Sequence, residues 1–374
     1  MSILPLFAHM KKYCGLAVSL IILLISPVLA EAQGLADRQL VWERNLIDIG
    51  TVMQEKGEVT SEFFFVNKAD FPIYIQDIIT DCGCTTASYT TDTLSLDKIG
   101  SVKITYEPTG RAGSFSKMII VKTNIDSEGD SLFLEGYNLP YPESVENHYA
   151  KKVGDFGFNS TTINFGNVFN NEPKVKEVDF FNFKAYPVML NEVQTVAPDH
   201  VQVQFVPEVI PAKSRGIIAL SYDGAQKDDF GYFEDSLSIV LIGREEPPIP
   251  LKLIATVHEY FDPIPLSEAQ NLPKLVISEN EVDLNRIKTN MPVSKIITLT
   301  NEGPKPLNIR KVVSNCDCLI FSLQKDELAP GEKTELVFTF DPKGRKGIDH
   351  KTLTIFSNDP LNPTRTIVIK SRIE

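Results

Sequence analysis

The sequence predicts an all-β protein: three tandem β-sandwiches behind an N-terminal export signal. Three observations carry this. A block of about a hundred residues recurs three times. Within each block, apolar and polar residues alternate with period two between turn signals. Ahead of the blocks, residues 1–32 carry a charged segment, an apolar run and small-residue cleavage sites.

The signal comes first in the chain. Lys11 and Lys12 precede the apolar run "CGLAVSLIILLI", Cys14 to Ile25, followed by Ser26, Pro27 and the small residues of "VLA" and "AEA". Cleavage after Ala30 or Ala32 is expected, with Met10 an alternative start. The competing reading is a retained membrane anchor, but the run is short for a span and is broken by Ser26 and Pro27. Cys14 is not placed to be a lipoprotein cysteine. No later stretch is long and apolar enough to cross a bilayer, so no transmembrane span is expected in the mature chain.

The blocks run over residues 35–141, 153–260 and 272–374. "LIDIGTV", "TINFGNV" and "VDLNRI" open them. Strand-like runs ending in Asn and a turn come next: "EFFFVNKADFPIYIQDI", "VDFFNFKAYPVMLNEV" and "KIITLTNEGPKPLNIRKV". Their β-branched and aromatic residues suit strands, and Asn with Pro suits the turn. Later, "LSLDKIGSVKITYEPTGRAGSFSKMIIVKTN" faces "LAPGEKTELVFTFDPKGRKGIDHKTLTIFSND", with a looser copy, "IPAKSRGIIALSYDGAQKDDFGYFEDSLSIVLIG", between them. Leu336, Phe338 and Phe340, and then Leu353 and Ile355, mark one apolar face of half-buried antiparallel strands. About seven such runs per block, with no convincing helical period, mean a sandwich. The linkers "LPYPESVENHYAKK" and "FDPIPLSEAQN" contain Pro and lack Gly-Ser runs, which predicts semi-rigid spacing and three sandwiches end to end.

The formal charge of −12 comes with dispersed basic residues. Nucleic acid and anionic membrane surfaces both need a positive footprint, so neither is an expected partner. The mature chain has two cysteine pairs, Cys82 and Cys84 in "DCGCTT", and Cys316 and Cys318 in "NCDCLI".

"DIGTV", "FFFVNKADFPIYI", "DCGCTT", "YEPTGRAG" and "IIVKTN" together resemble the bacterial domain-of-unknown-function family numbered 1573. The resemblance implies immunoglobulin-like sandwiches related to ASH and HYDIN domains, and export by Gram-negative bacteria of the Bacteroidetes type. Cys82, Gly83, Cys84 and Thr85 match the family's Cys-Gly-Cys-Thr motif in full. In the third block Asp317 and Leu319 replace Gly and Thr. In the middle block the aligned positions fall at about Ala197, Pro198 and Asp199, so the cysteines are gone. The family supplies no established activity.

Four readings of the cysteine pairs stay open. Each pair is a local disulfide, favoured by export, a pair of packed thiols, a copper(I) site, or a redox motif. On an extended strand the two Cα atoms lie roughly 6.6 Å apart, near the limit for a bridge, and a bend at Gly83 would shorten this. No His or Met cluster lies beside either pair to complete a copper site, and a zinc site joining all four needs the chain to fold back.

Other motifs have plain readings. Arg111 in "PTGRAG" and Arg345 in "PKGRKG" suit an anion-holding nest but suit glycine-dependent hairpin turns with solvated arginines better. Asp126, Glu128 and Asp130 crowd a loop without the frame of a calcium site. His9, His148, His200, His258 and His350 are scattered, and no nucleophile-elbow motif or His pair points to a catalytic set. Trp42 reads as core.

The expected function is therefore an exported, non-enzymatic, cofactor-free protein of the periplasm or cell surface, whose tandem sandwiches meet a protein or glycan partner. The alternative is a periplasmic thiol-redox or copper-handling protein that uses the Cys-x-Cys pairs.

Overall fold

A computed structural model describes residues 39–242, 247–265 and 267–374. The export-signal reading over residues 1–32, including both cleavage sites, lies outside the described residues. The fold is all-β and immunoglobulin-like, with its sheets arranged in tandem domains. Among the described residues no helix is long and apolar enough to cross a membrane. The chain divides into two compact units between Glu143 and Ser144. The first unit holds one sandwich, and the second holds the middle and third.

In the first sandwich one sheet comprises Leu40–Trp42, Val59–Asn67, Ile99–Tyr106 and Thr85–Tyr89. The other comprises Leu46–Met53, Asp130–Leu139, Gly113–Thr123 and Ile75–Thr80. The core lies between them and includes Phe63, Phe65, Val102, Ile104, Ile119, Val121 and Leu134. The third sandwich repeats the plan. Leu336, Phe338, Phe340, Leu353 and Ile355 are all 0% exposed, as their period-two spacing predicts. Each removes a full apolar side chain from water, on the order of 2 kcal/mol apiece.

Two features recur in all three copies. The first is a bulge in the strand that opens one of the two sheets. Gly50, Gly166 and Asn285 have φ of 66°, 66° and 58°. Each N–H donates to a side-chain oxygen two residues back, at 2.8 Å on Asp48, 2.8 Å on Asn164 and 2.7 Å on Asp283. A left-handed residue is needed, so Gly or Asn stands there. The strand register shifts at the same place. This explains "DIG", "NFG" and "DLN". The bulged strand pairs parallel with the last strand of its block, as in Leu46–Met53 with Asp130–Leu139. Period two reports a half-buried strand but not its direction. A first and a last strand need no tight turn between them, so parallel pairing is open to them.

The second feature is a buried asparagine. Asn67, Asn182 and Asn301 are 0% exposed. The Asn67 amide donates to the carbonyls of Phe71 and Leu94 at 2.9 and 2.8 Å. Asn182 donates to Tyr186 and Pro211 at 3.0 and 2.9 Å, and Asn301 to Lys305 and Leu328 at 2.9 and 3.0 Å. Each side-chain oxygen accepts a backbone N–H two residues on, from Ala69, Lys184 and Gly303. One amide thus closes the turn that follows its strand and pins a segment that crosses the domain edge.

Truncating this amide removes one donor from each of two carbonyls and takes the acceptor from a backbone N–H, and at Asn301 from that of Lys274 as well. Asn301→Ala should lower the stability of the unit that begins at Ser144 by about 3 kcal/mol. Urea unfolding of the mature chain measures it, and a loss below about 1 kcal/mol would show the amide to be replaceable by water.

Candidate functional site

In the first and third sandwiches the cysteine pairs sit where the chain passes from one sheet to the other. Ile75–Thr80 leads into Cys82 and Cys84, and Thr85–Tyr89 leaves in the opposite sheet. Leu307–Ser314 and Leu319–Leu323 flank Cys316 and Cys318 in the same way. Each corner is a tight turn, with Thr85 N–H donating to Cys82 O at 3.2 Å and Leu319 N–H to Cys316 O at 3.0 Å. The sulfurs of each pair are bonded, with Cα separations of 5.3 and 5.1 Å. The turn supplies the bend that an extended strand lacks. At Gly83 φ is not left-handed and a Cβ would meet nothing within 4 Å, which explains why Asp317 serves in the third copy.

The middle copy corrects the sequence alignment by one residue. Val201 N–H donates to Pro198 O at 2.9 Å, and Asp223 N–H to His200 O at 2.9 Å. These match the bonds from Glu107 to Cys84 O and from Asp341 to Cys318 O. Val201 also pairs with Tyr222 as Thr85 pairs with Tyr106. The cysteine positions are therefore Pro198 and His200, with Asp199 between them; Ala197 lies one residue outside. Turn residues carry no hydrophobic period, so no pattern there sets the offset. His200 bonds Asp235 Oδ2 at 3.1 Å, and Tyr222 and Lys227 donate to the same carboxylate at 2.8 and 3.0 Å. Burial acts to raise the Asp235 pKa, but the hydrogen bonds from Lys227, Tyr222 and His200 outweigh it and hold the carboxyl below its usual range.

The remaining candidates take structural places. Gly110, Gly113, Gly344 and Gly347 have φ between 71° and 85°, the hairpin-turn reading. Arg111 is exposed and donates to Thr109 O. Arg345 departs from the solvated expectation: its Nη2 lies 3.1 Å from Cys316 Sγ and its Nη1 3.4 Å from Asp349. Asp126 accepts from the N–H groups of Glu128 and Gly129, as a turn does. Trp42 packs on Phe65 and donates to Asp130 at 2.8 Å. Among the described residues no group of three or more His, Cys, Asp or Glu is placed to hold a metal ion.

Sequence reasoning missed the junction between the middle and third sandwiches. Arg310 forks onto Glu259 with two bonds of 3.0 Å, and Lys311 reaches both oxygens of Asp229 at 2.7 Å. Phe230 stacks on Phe356, whose ring also meets His258. Beside these contacts opens a cleft of about 800 Å³. Tyr232 and His258 line it from the middle sandwich, and Cys316, Cys318, Arg345 and Thr354 from the third.

Residues 40–138 and 275–373, the first and third sandwiches, match the family described as Protein of unknown function (DUF1573). The chain belongs to this family. The middle sandwich of the DUF1573 chain lies outside both matches. No curated protein matches it. Among solved structures it is similar to a protein of unknown function from Porphyromonas gingivalis W83, at 17% identity over 59% of this chain and 100% of that one, with a TM-score of 0.43. It is also similar to an ASH/PapD-like domain of human CEP192, at 10% identity over 31% and 93% of the two chains, with a TM-score of 0.25. Three immunoglobulin domains of titin align at 12% identity over 90% and 98%, with a TM-score of 0.20. At such identities and scores these likenesses carry no argument about function.

Burial at the junction holds the His258 pKa below the ordinary histidine value. The unfolded chain therefore takes up the proton first as pH falls. The stability tied to neutral His258 is complete above the unfolded value, about 6.5, and is lost as pH drops toward the folded value. His258→Gln should thus flatten the fall in melting temperature between pH 7 and pH 5. An unchanged pH slope would mean that His258 stays hydrated.

Proposed function

We propose that the protein is an exported interaction protein of the bacterial envelope, delivered to the periplasm or cell surface. One observation carries the interaction part. The middle and third sandwiches are joined by paired charges and rings, and the cleft beside that joint mixes aromatic, hydroxyl and cationic side chains. Such a mixture suits a polar chain with apolar groups, which a protein or a glycan supplies. Phe230–Phe356 and Arg310–Glu259 fix the walls, so a partner meets a preformed surface and less ordering is needed on binding. The export part rests on Lys11, Lys12, the apolar run and the small residues up to Ala32.

Two measurements test this reading. The intact mass of exported protein should correspond to a chain that starts at Glu31 or Gln33. Retention of Lys11 and the apolar run would make it a membrane-anchored protein. A photo-crosslinking residue at Tyr232, whose side chain is 59% exposed at the cleft, should trap a discrete adduct in cells. The same residue at Lys295, in the sheet of the third sandwich opposite the one that lines the cleft, should not. Equal or absent adducts at both positions would remove the cleft from consideration as the contact surface.

A further inference from the structure

The two disulfides stand in different surroundings. Cys84 is 5% exposed and packs in the core of the first sandwich. The Thr85 hydroxyl lies 3.6 Å from Cys82 Sγ and 3.8 Å from Cys84 Sγ. In the third sandwich Cys316 and Cys318 both line the cleft with Asp317 between them, Cys318 also packs against the core, and a guanidinium nitrogen lies 3.1 Å from Cys316 Sγ. The turns that carry the two arginines are alike: Arg111 N–H donates to Pro108 O and Arg345 N–H to Pro342 O. What differs is the residue four positions on. Asp349 draws Arg345 inward and is itself held by Lys351. Phe115 stands at that position in the first sandwich and stacks on Tyr106, with centroids 4.3 Å apart. Arg111 has no such anchor and folds back on Thr109.

We propose that Cys316–Cys318 is a thiol–disulfide exchange site that takes electrons from a dithiol entering the cleft, while Cys82–Cys84 is a structural staple. Exchange is faster when the departing sulfur is a stabilised thiolate, and a neighbouring cation stabilises one. A thiolate of the partner attacks Cys318 Sγ. The Cys316–Cys318 bond breaks, a partner–Cys318 disulfide forms, and the Cys316 thiolate leaves beside Arg345. The partner's second thiolate then attacks its own sulfur in that mixed disulfide and releases Cys318 as a thiolate. In sum the partner loses two electrons and two protons and becomes a disulfide, and the Cys316–Cys318 pair gains them as two thiols. Asp349 is the positioning residue, acting through Arg345. A cleft of this size admits side chains of an extended polypeptide, so the dithiol is assigned to a polypeptide.

This adds chemistry to the cleft beyond partner binding. The test reads sulfur, so its failure leaves the interaction reading standing. Exported, oxidised mature chain is exposed for timed intervals to reduced glutathione or to a reduced Cys-x-x-Cys peptide. Acid-trapped products are mapped by mass spectrometry. Cys316–Cys318 should open at least about tenfold faster than Cys82–Cys84, with glutathione attached to Cys318 and the peptide faster than glutathione. Arg345→Met should erase the difference without changing the rate at Cys82–Cys84, Arg345→Lys should restore part of it, and Asp349→Asn should act like a milder Arg345→Met. After full reduction, Cys316 should reach half-maximal alkylation rate at a lower pH than Cys82, and Arg345→Met should remove that gap. A thermal melt of each variant checks folding. Equal opening rates, adducts on Cys316, or rates and pH profiles indifferent to Arg345 would overturn the proposal. Glutathione outrunning the peptide would overturn the polypeptide assignment.

Discussion

A single buried amide recurs in all three sandwiches and fixes the same two pieces of chain each time. Asn67, Asn182 and Asn301 end a core strand, close the turn after it and hold the carbonyl of a segment crossing the domain edge. Apolar packing is directionless and tolerates slippage by two residues along a strand. An amide that must satisfy two carbonyls and one N–H, far from water, does not. It fixes where the strand stops and hence where the next strand and the sheet-crossing corner begin. The bulge at Gly50, Gly166 and Asn285 performs a matching task at the strand that opens the other sheet.

The corner downstream is free to vary once that frame is set. Two copies staple it with a disulfide, and the middle copy places Pro198 and His200 there with the same backbone turn. A disulfide that closes so short a loop constrains little of the unfolded chain, so modest stabilisation is expected from it. The third corner has acquired surroundings the first lacks: an arginine drawn in by Asp349 and a cleft roofed by the neighbouring sandwich. The difference lies in Asp349 against Phe115 and in the junction made by Arg310, Lys311 and Phe356.

The sequence shows the strands plainly because half-buried strands impose period two, as at Leu336, Phe338 and Phe340. The positive-φ turns at Gly110, Gly113, Gly344 and Gly347 are equally legible, since glycine fits them easily, whereas those at Asp97, Lys213 and Asp228 carry no such mark. Strand direction was not legible, because parallel and antiparallel pairing bury the same face. Nor was the middle corner's offset, as Ala197 to His200 carry no pattern. Of the candidate site, the cysteines and the glycines around Arg345 stood out locally. Arg345 beside Cys316, and the cleft itself, depend on Asp349, Glu259, Asp229 and Phe230, which are distant in sequence and ordinary in type. Charged residues on strands read as solvated until a neighbouring domain is placed against them.

The buried amide, and not the disulfide, determines the sandwich. Residue-resolved hydrogen exchange on the first sandwich tests it most directly, comparing Asn67→Ala with the double change Cys82→Ser and Cys84→Ser. The double change should leave the amides of Phe63 to Val66 and Val102 to Tyr106 protected as in the parent and loosen only the corner from Asp81 to Thr85. Asn67→Ala should lower protection throughout both strands. Global loss in the cysteine variant with protection kept in the asparagine variant would show that the disulfide, and not the amide, determines the sandwich.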